Sequence, residues 1–76
     1  MNPPDISESE WTVMEALWKR SPQTASQLAK ALSRSTGWAL NTVRTLLSRL
    51  VEKGALRADE NSSGVREFSP AIAREA

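Results

Sequence analysis

Wound as a helix at 100° per residue, residues 40–53 place Leu40, Val43, Leu46, Leu47, Leu50 and Val51 on an arc of about 140° that holds no polar side chain. In a strand these residues would scatter over both faces, so the segment is expected to be a helix buried along one side. Gly54 follows where a left-handed residue commonly closes a helix. Lys53 lies in the last turn, where a cation meets the negative end of the dipole. The opposite arc carries Asn41, Thr42, Arg44, Thr45, Ser48 and Arg49. That set is neither the Glu/Lys mixture of an ordinary solvated helix nor the face of a membrane-surface helix. Short hydrogen-bonding side chains interleaved with arginines suit base edges and phosphates.

A chain of 76 residues is one small domain, too short for a second core or a deep catalytic cleft. It contains no cysteine and no histidine, which removes disulfides, thiolate nucleophiles, Ser-His pairs and the usual zinc ligands together. No enzyme activity, cofactor or metal is expected. The start, Met1-Asn2-Pro3-Pro4-Asp5, has no basic stretch followed by an apolar run, and no run of about 18 apolar residues occurs. A cytoplasmic protein without membrane contact is therefore expected. The net charge of +1 hides an uneven distribution. Residues 1–18 sum to −4; residues 19–57 hold eight Lys or Arg against Glu52, a net +7; residues 58–76 sum to −2. A basic middle of this kind is what attraction to a polyanion requires, although solvated helix faces would also produce it.

Ser7-Glu8-Ser9-Glu10 has capping-box spacing, so a helix should start at Ser7 and run to about Arg20, before Ser21-Pro22. Its apolar stripe is Trp11, Met14, Leu17 and Trp18, read as core rather than as a stacking platform. Thr24-Ala25-Ser26 can give a short extended piece and an N-cap for a second helix, about 26–35, with Leu28, Ala29 and Leu32 inward. Trp38, after Gly37, should plug the junction with the third helix. Residues 55–59 and 65–68 alternate weakly around the polar turn Glu60-Asn61-Ser62-Ser63-Gly64, the pattern of a hairpin. Ser69-Pro70 offers an N-cap and an N1 proline for a further helix over residues 71–76, too short to stand alone. That end is either a frayed tail or the front of a longer chain, and the second is the expectation.

Three helices followed by a two-stranded hairpin give a mainly α fold of winged helix-turn-helix class. The expected organisation is a tail at 1–5, a winged-helix DNA-binding domain at 6–70, and the start of a truncated C-terminal helix or tail at 71–76. The recognition helix, about 40–53, would enter the major groove, while Ser62, Ser63 and Arg66 of the wing would meet phosphates.

The strings Ile-Ser-Glu-Ser-Glu-Trp-Thr-Val-Met-Glu-Ala-Leu-Trp from Ile6 to Trp18 and Thr-Val-Arg-Thr-Leu-Leu-Ser-Arg-Leu-Val-Glu-Lys-Gly-Ala-Leu from Thr42 to Leu56 resemble the penicillinase repressors, the BlaI/MecI/CopY group. The resemblance spans Ile6 to Pro70. It implies an N-terminal winged helix followed by a helical dimerisation domain, hence a homodimer through a segment absent from these residues. It also implies a transcriptional repressor on double-stranded palindromic operators, with half-sites containing TACA, or TGTA on the other strand. The inducing signal, β-lactam-triggered proteolysis or copper, is left open. Carried over by position, the family's DNA-contacting residues fall on Asn41, Thr42, Arg44, Thr45 and Arg49. Two departures stand out. Ala39-Leu40 replaces the usual Ser-Pro or similar capping pair, which should leave the helix start frayed until DNA is bound. Glu67-Phe68 stands where aromatic pairs are usual.

The competing reading is a winged-helix protein–protein interaction module without DNA binding, since the fold alone does not dictate the ligand. Such a module would carry exposed apolar anchors on the recognition helix, and the polar arc has none. A hydrolase using Asp59 and Glu60 is set aside, because adjacent carboxylates at a hairpin are ordinarily solvated charges.

Overall fold

The computed structural model describes residues 6–73. The tail expected at 1–5 lies outside the described residues. The elements follow in the order α1 (Glu8–Lys19), β1 (Gln23–Thr24), α2 (Ala25–Thr36), α3 (Leu40–Glu52), β2 (Leu56–Glu60) and β3 (Arg66–Pro70).

Helix α1 begins where its capping box predicts. The Ser7 hydroxyl accepts from the Glu10 amide at 3.3 Å, and the Ser7 amide donates to the Glu10 carboxylate at 2.9 Å. Val13, Met14 and Leu17 are its fully buried apolar residues. The tryptophans expected in the core instead sit half-buried at its edge, ring centroids 5.3 Å apart at 76°. The Trp18 Nε1–H donates to the Ile72 carbonyl at 3.0 Å, tying the end of the described chain onto α1.

Helix α2 starts one residue earlier than the spacing suggested, because the cap is Thr24 and not Ser26. Its hydroxyl accepts from the Gln27 amide at 3.1 Å, and the Gln27 side chain accepts from the Thr24 amide at 2.9 Å. The extended piece before it is Gln23–Thr24, which pairs with β3 and adds a strand that the hairpin alone did not reveal. The sheet is thus three-stranded and antiparallel, in the order β1-β3-β2.

Helix α3 ends in a Schellman motif. The Gly54 amide donates to Val51 and the Ala55 amide to Leu50, with Gly54 at φ +81° as expected for its C′ position. Val43, Leu46, Leu47 and Leu50 then face the buried residues of α1 and α2, and Leu56 and Phe68 close the core from the sheet. Replacing a fully buried residue such as Leu47 by alanine would cost about 2–5 kcal/mol.

The expected helix start at Ser69-Pro70 is overturned. Both residues belong to β3, where Pro70 pairs with Leu56 and Ser69 with Arg57. Proline is accommodated because β1 pairs only with Glu67 and Phe68, so at Pro70 one side of the strand has no ladder to satisfy. Ala71–Ala73 are not helical; the Ala71 amide donates to the Ala55 carbonyl at 2.9 Å. Arg74–Ala76 lie outside the described residues.

Candidate nucleic-acid interface

The turn between α2 and α3 fixes the angle at which α3 is presented. Gly37 adopts φ +69°, a left-handed conformation, and its amide caps Ser33. The Thr36 hydroxyl donates to the Leu32 carbonyl at 2.8 Å and accepts from the Trp38 amide at 3.1 Å. Trp38 is half-buried against the core, filling the junction between the two helices.

At the far end of α3 a second constraint acts. The Lys53 ammonium is 2.6 Å from the Glu10 carboxylate, whose side chain is only 2% exposed. Burial alone would push the Glu10 carboxyl up. Lys53 and the Ser7 hydrogen bonds outweigh it and hold the group below the ordinary glutamate range.

Between these two fixed points Asn41, Thr42, Arg44, Thr45, Ser48 and Arg49 all lie exposed. Neither Arg44 nor Arg49 is committed to an ion pair among the described residues. The Thr45 hydroxyl donates to the Asn41 carbonyl at 3.0 Å, leaving its oxygen lone pairs and its methyl group toward solvent. The helix start is uncapped: Ala39 is the N-cap residue and makes no side-chain bond. Leu40 departs from its expected place in the buried arc. It is 37% exposed, because the N-terminal end of α3 extends past the core, whereas Leu47 on the same side of the helix is fully buried.

The wing tip is organised by Asn61. Its Oδ1 accepts from the Ser63 and Val65 amides at 2.8 and 3.0 Å, and its Nδ2 donates to Glu67 at 3.3 Å. Ser62, Ser63 and Arg66 are exposed, as phosphate contact would require. Yet Arg66 lies opposite Glu60 in the ladder and Asp59 opposite Glu67, so the charge around Arg66 is mixed. Further exposed cations lie on the helices, Lys30 and Arg34 on α2 and Arg44 and Arg49 on α3.

Among the described residues no group of three or more His, Cys, Asp or Glu side chains could hold a metal. Among the same residues no helix is long and apolar enough to cross a membrane. A shallow groove between α1 and α2, lined in part by Glu15, Lys19, Arg20 and Lys30, includes no residue of α3.

Three helices, the second and third joined by a tight turn, with a hairpin following the third, define a winged helix-turn-helix domain. The chain belongs to the penicillinase repressor family, whose profile matches residues 6–76. The family is one of transcriptional repressors rather than enzymes. The chain is 42% identical over 53 residues to the penicillinase repressor of Bacillus licheniformis, covering 70% of this chain and 41% of that one. It is 34% identical over 65 residues to the methicillin resistance regulatory protein MecI of Staphylococcus aureus strain N315, covering 86% and 53% respectively. The chain therefore spans about half the length, or less, of these relatives. The fold superposes with a TM-score of 0.82, at 34% identity, on the solution structure of monomeric Bacillus licheniformis BlaI in complex with the blaP half-operator, covering 97% of this chain and 89% of that one.

Proposed function

We propose that this domain binds double-stranded DNA sequence-specifically and serves as the operator-binding part of a transcriptional repressor, with α3 in the major groove. The observation that carries the reading is the face of α3. Asn41, Thr42, Arg44, Thr45 and Arg49 are exposed on a helix held at both ends, and its two arginines have no ion-pair partner among the described residues. Asparagine reads adenine, arginine reads guanine or phosphate, and a threonine methyl meets a thymine methyl. The likeness to a structure in complex with a half-operator supports DNA as the ligand.

The finer assignments extend this reading. Asn41 and Thr45, near the middle of the polar arc and in the first two turns, contact base edges. Thr42 and Arg44 flank them with mixed roles, and Arg49 meets the backbone. Ser62, Ser63 and Arg66 contact phosphates from the wing. The operator is a palindrome with TACA/TGTA half-sites, occupied by a homodimer joined through a segment beyond this domain, in the cytoplasm.

Selection of bound sequences from a random duplex pool tests the proposal and yields the half-site directly. If about four phosphates are neutralised, log K should fall against log salt with a slope of about −3.6. A slope near zero, or equal affinity for the TACA/TGTA site and a scrambled duplex, would overturn the corresponding claim.

A further inference from the structure

We propose that Leu40 is a base-reading residue of this domain, packing its side chain against the 5-methyl group of a thymine in the major groove. The inference rests on the DNA-binding reading above and adds a residue that neither the polar arc nor the family correspondence includes.

The fold leaves more than a third of Leu40 in water. Its azimuth on α3 lies about 20° from that of Leu47, two turns further along, so the two share one side of the helix. Leu47 is fully buried; Leu40 is 37% exposed and is absent from both the core and the half-buried residues packed against it. The two positions are separated by about 10 Å of helix rise, and over that distance the core stops while the helix continues. Leu40 is the first residue of α3, and the N-terminal part of a recognition helix is the part that meets base edges. Arg44, one turn on, lies only about 40° away in azimuth and is exposed. The column Leu40–Arg44 therefore borders the polar face. In the major groove the apolar feature a leucine can meet is the thymine methyl, which the other three bases lack. Among the described residues the other large hydrophobic left exposed is Val65, at the wing tip on a separate element.

The test uses the highest-affinity duplex from the random pool, together with copies in which one thymine at a time is replaced by deoxyuridine, which removes the methyl group and leaves base pairing intact. With the unaltered domain, one such replacement should weaken binding by about 3- to 10-fold. Leu40→Ala should weaken binding to the parent duplex by a similar factor and be indifferent to that same replacement, while Leu40→Met should retain most of the sensitivity. Because Leu40 lies outside the core, the thermal midpoint of Leu40→Ala should stay within about 2 °C of the parent, which separates lost contact from lost fold. If Leu40→Ala binds as the parent does, or if it keeps the full deoxyuridine penalty, the assignment is wrong. Altered sedimentation with unchanged DNA binding would also overturn it, giving Leu40 to a protein contact. If the unaltered domain binds no duplex at any salt concentration, the DNA-binding reading itself falls, an outcome distinct from the others.

Discussion

Lys53, the C-cap of α3, donates to Glu10 in the first turn of α1 at 2.6 Å, across 43 positions of sequence. One carboxylate thus completes the capping box of the first helix and anchors the far end of the third. Glutamine can also serve in a capping box, so Glu10→Gln isolates the ionic part of this double role. Removing one member of a buried pair is costly, but Lys53 keeps 32% of its side chain in water and can rehydrate, which reduces the penalty. The expected loss is about 1–2 kcal/mol in urea unfolding. An unchanged midpoint would show that the cap alone accounts for the contribution of Glu10.

The same pair sets a pH dependence whose sign is fixed. The Glu10 carboxyl is held below its ordinary value in the folded state, so its contribution is full above the ordinary glutamate value and is lost as pH falls through the folded one. The stability difference between the parent and Glu10→Gln should therefore be largest near neutrality and shrink in the acid range. A difference that grew on acidification would contradict the assignment.

Ala39 leaves the start of α3 without a side-chain cap, and the Val43 amide bonding to the Ala39 carbonyl marks the first intrahelical contact. A serine at this position can accept from the second or third amide of the helix. Ala39→Ser should raise stability by about 0.5–1 kcal/mol, read from thermal or urea unfolding. No gain would mean that the first-turn amides cannot reach the hydroxyl in this backbone.

At the wing, Asn61→Ala removes the acceptor shared by the Ser63 and Val65 amides. Amide exchange at both positions should quicken, with a stability loss of about 1 kcal/mol. Asn61→Asp keeps the acceptor and should preserve protection of both amides, although it places a further carboxylate near Glu67. Unchanged exchange in Asn61→Ala would show that backbone contacts alone hold the tip.

Much of this architecture is legible in the sequence because it is written in local rules. The Ser7–Glu10 spacing dictates the first helix start, Gly54 the end of the third, and the period of Val43, Leu46, Leu47 and Leu50 its buried side. What stays hidden depends on distant partners. Nothing near Gln23 announces that it will pair with Phe68, and Ser69-Pro70 looks like a helix start until β2 supplies its ladder. Periodicity assigns Leu40 to the core because a wheel has no length; only the packed structure shows where the core ends. The polar residues of the candidate site are readable for the opposite reason, since exposure on a helix follows from azimuth once the buried arc is known. Glu10 reads as a cap, and its bond to Lys53 waits on tertiary contact.

On the proposed DNA-binding reading, Thr45 and Arg49 separate base reading from phosphate anchoring on one helix. Thr45 lies in the first two turns and turns lone pairs and a methyl outward, since its hydroxyl proton is engaged by the Asn41 carbonyl. Thr45→Ala should therefore act mainly on the preferred duplex, costing roughly 1 kcal/mol there and little on scrambled DNA. Arg49 is one turn further on, exposed and without an ion pair among the described residues, at the level where the helix would leave the groove on the proposed docking. Arg49→Ala should weaken all duplexes alike and reduce the salt slope by about one. Were both merely solvated surface residues, each substitution would stay within about 0.5 kcal/mol in stability and leave binding untouched. Titrating both variants on preferred and scrambled duplexes at two salt concentrations distinguishes these cases. Equal losses on both duplexes for Thr45→Ala would remove it as a base reader, and a salt slope unchanged by Arg49→Ala would remove Arg49 from the phosphate contacts.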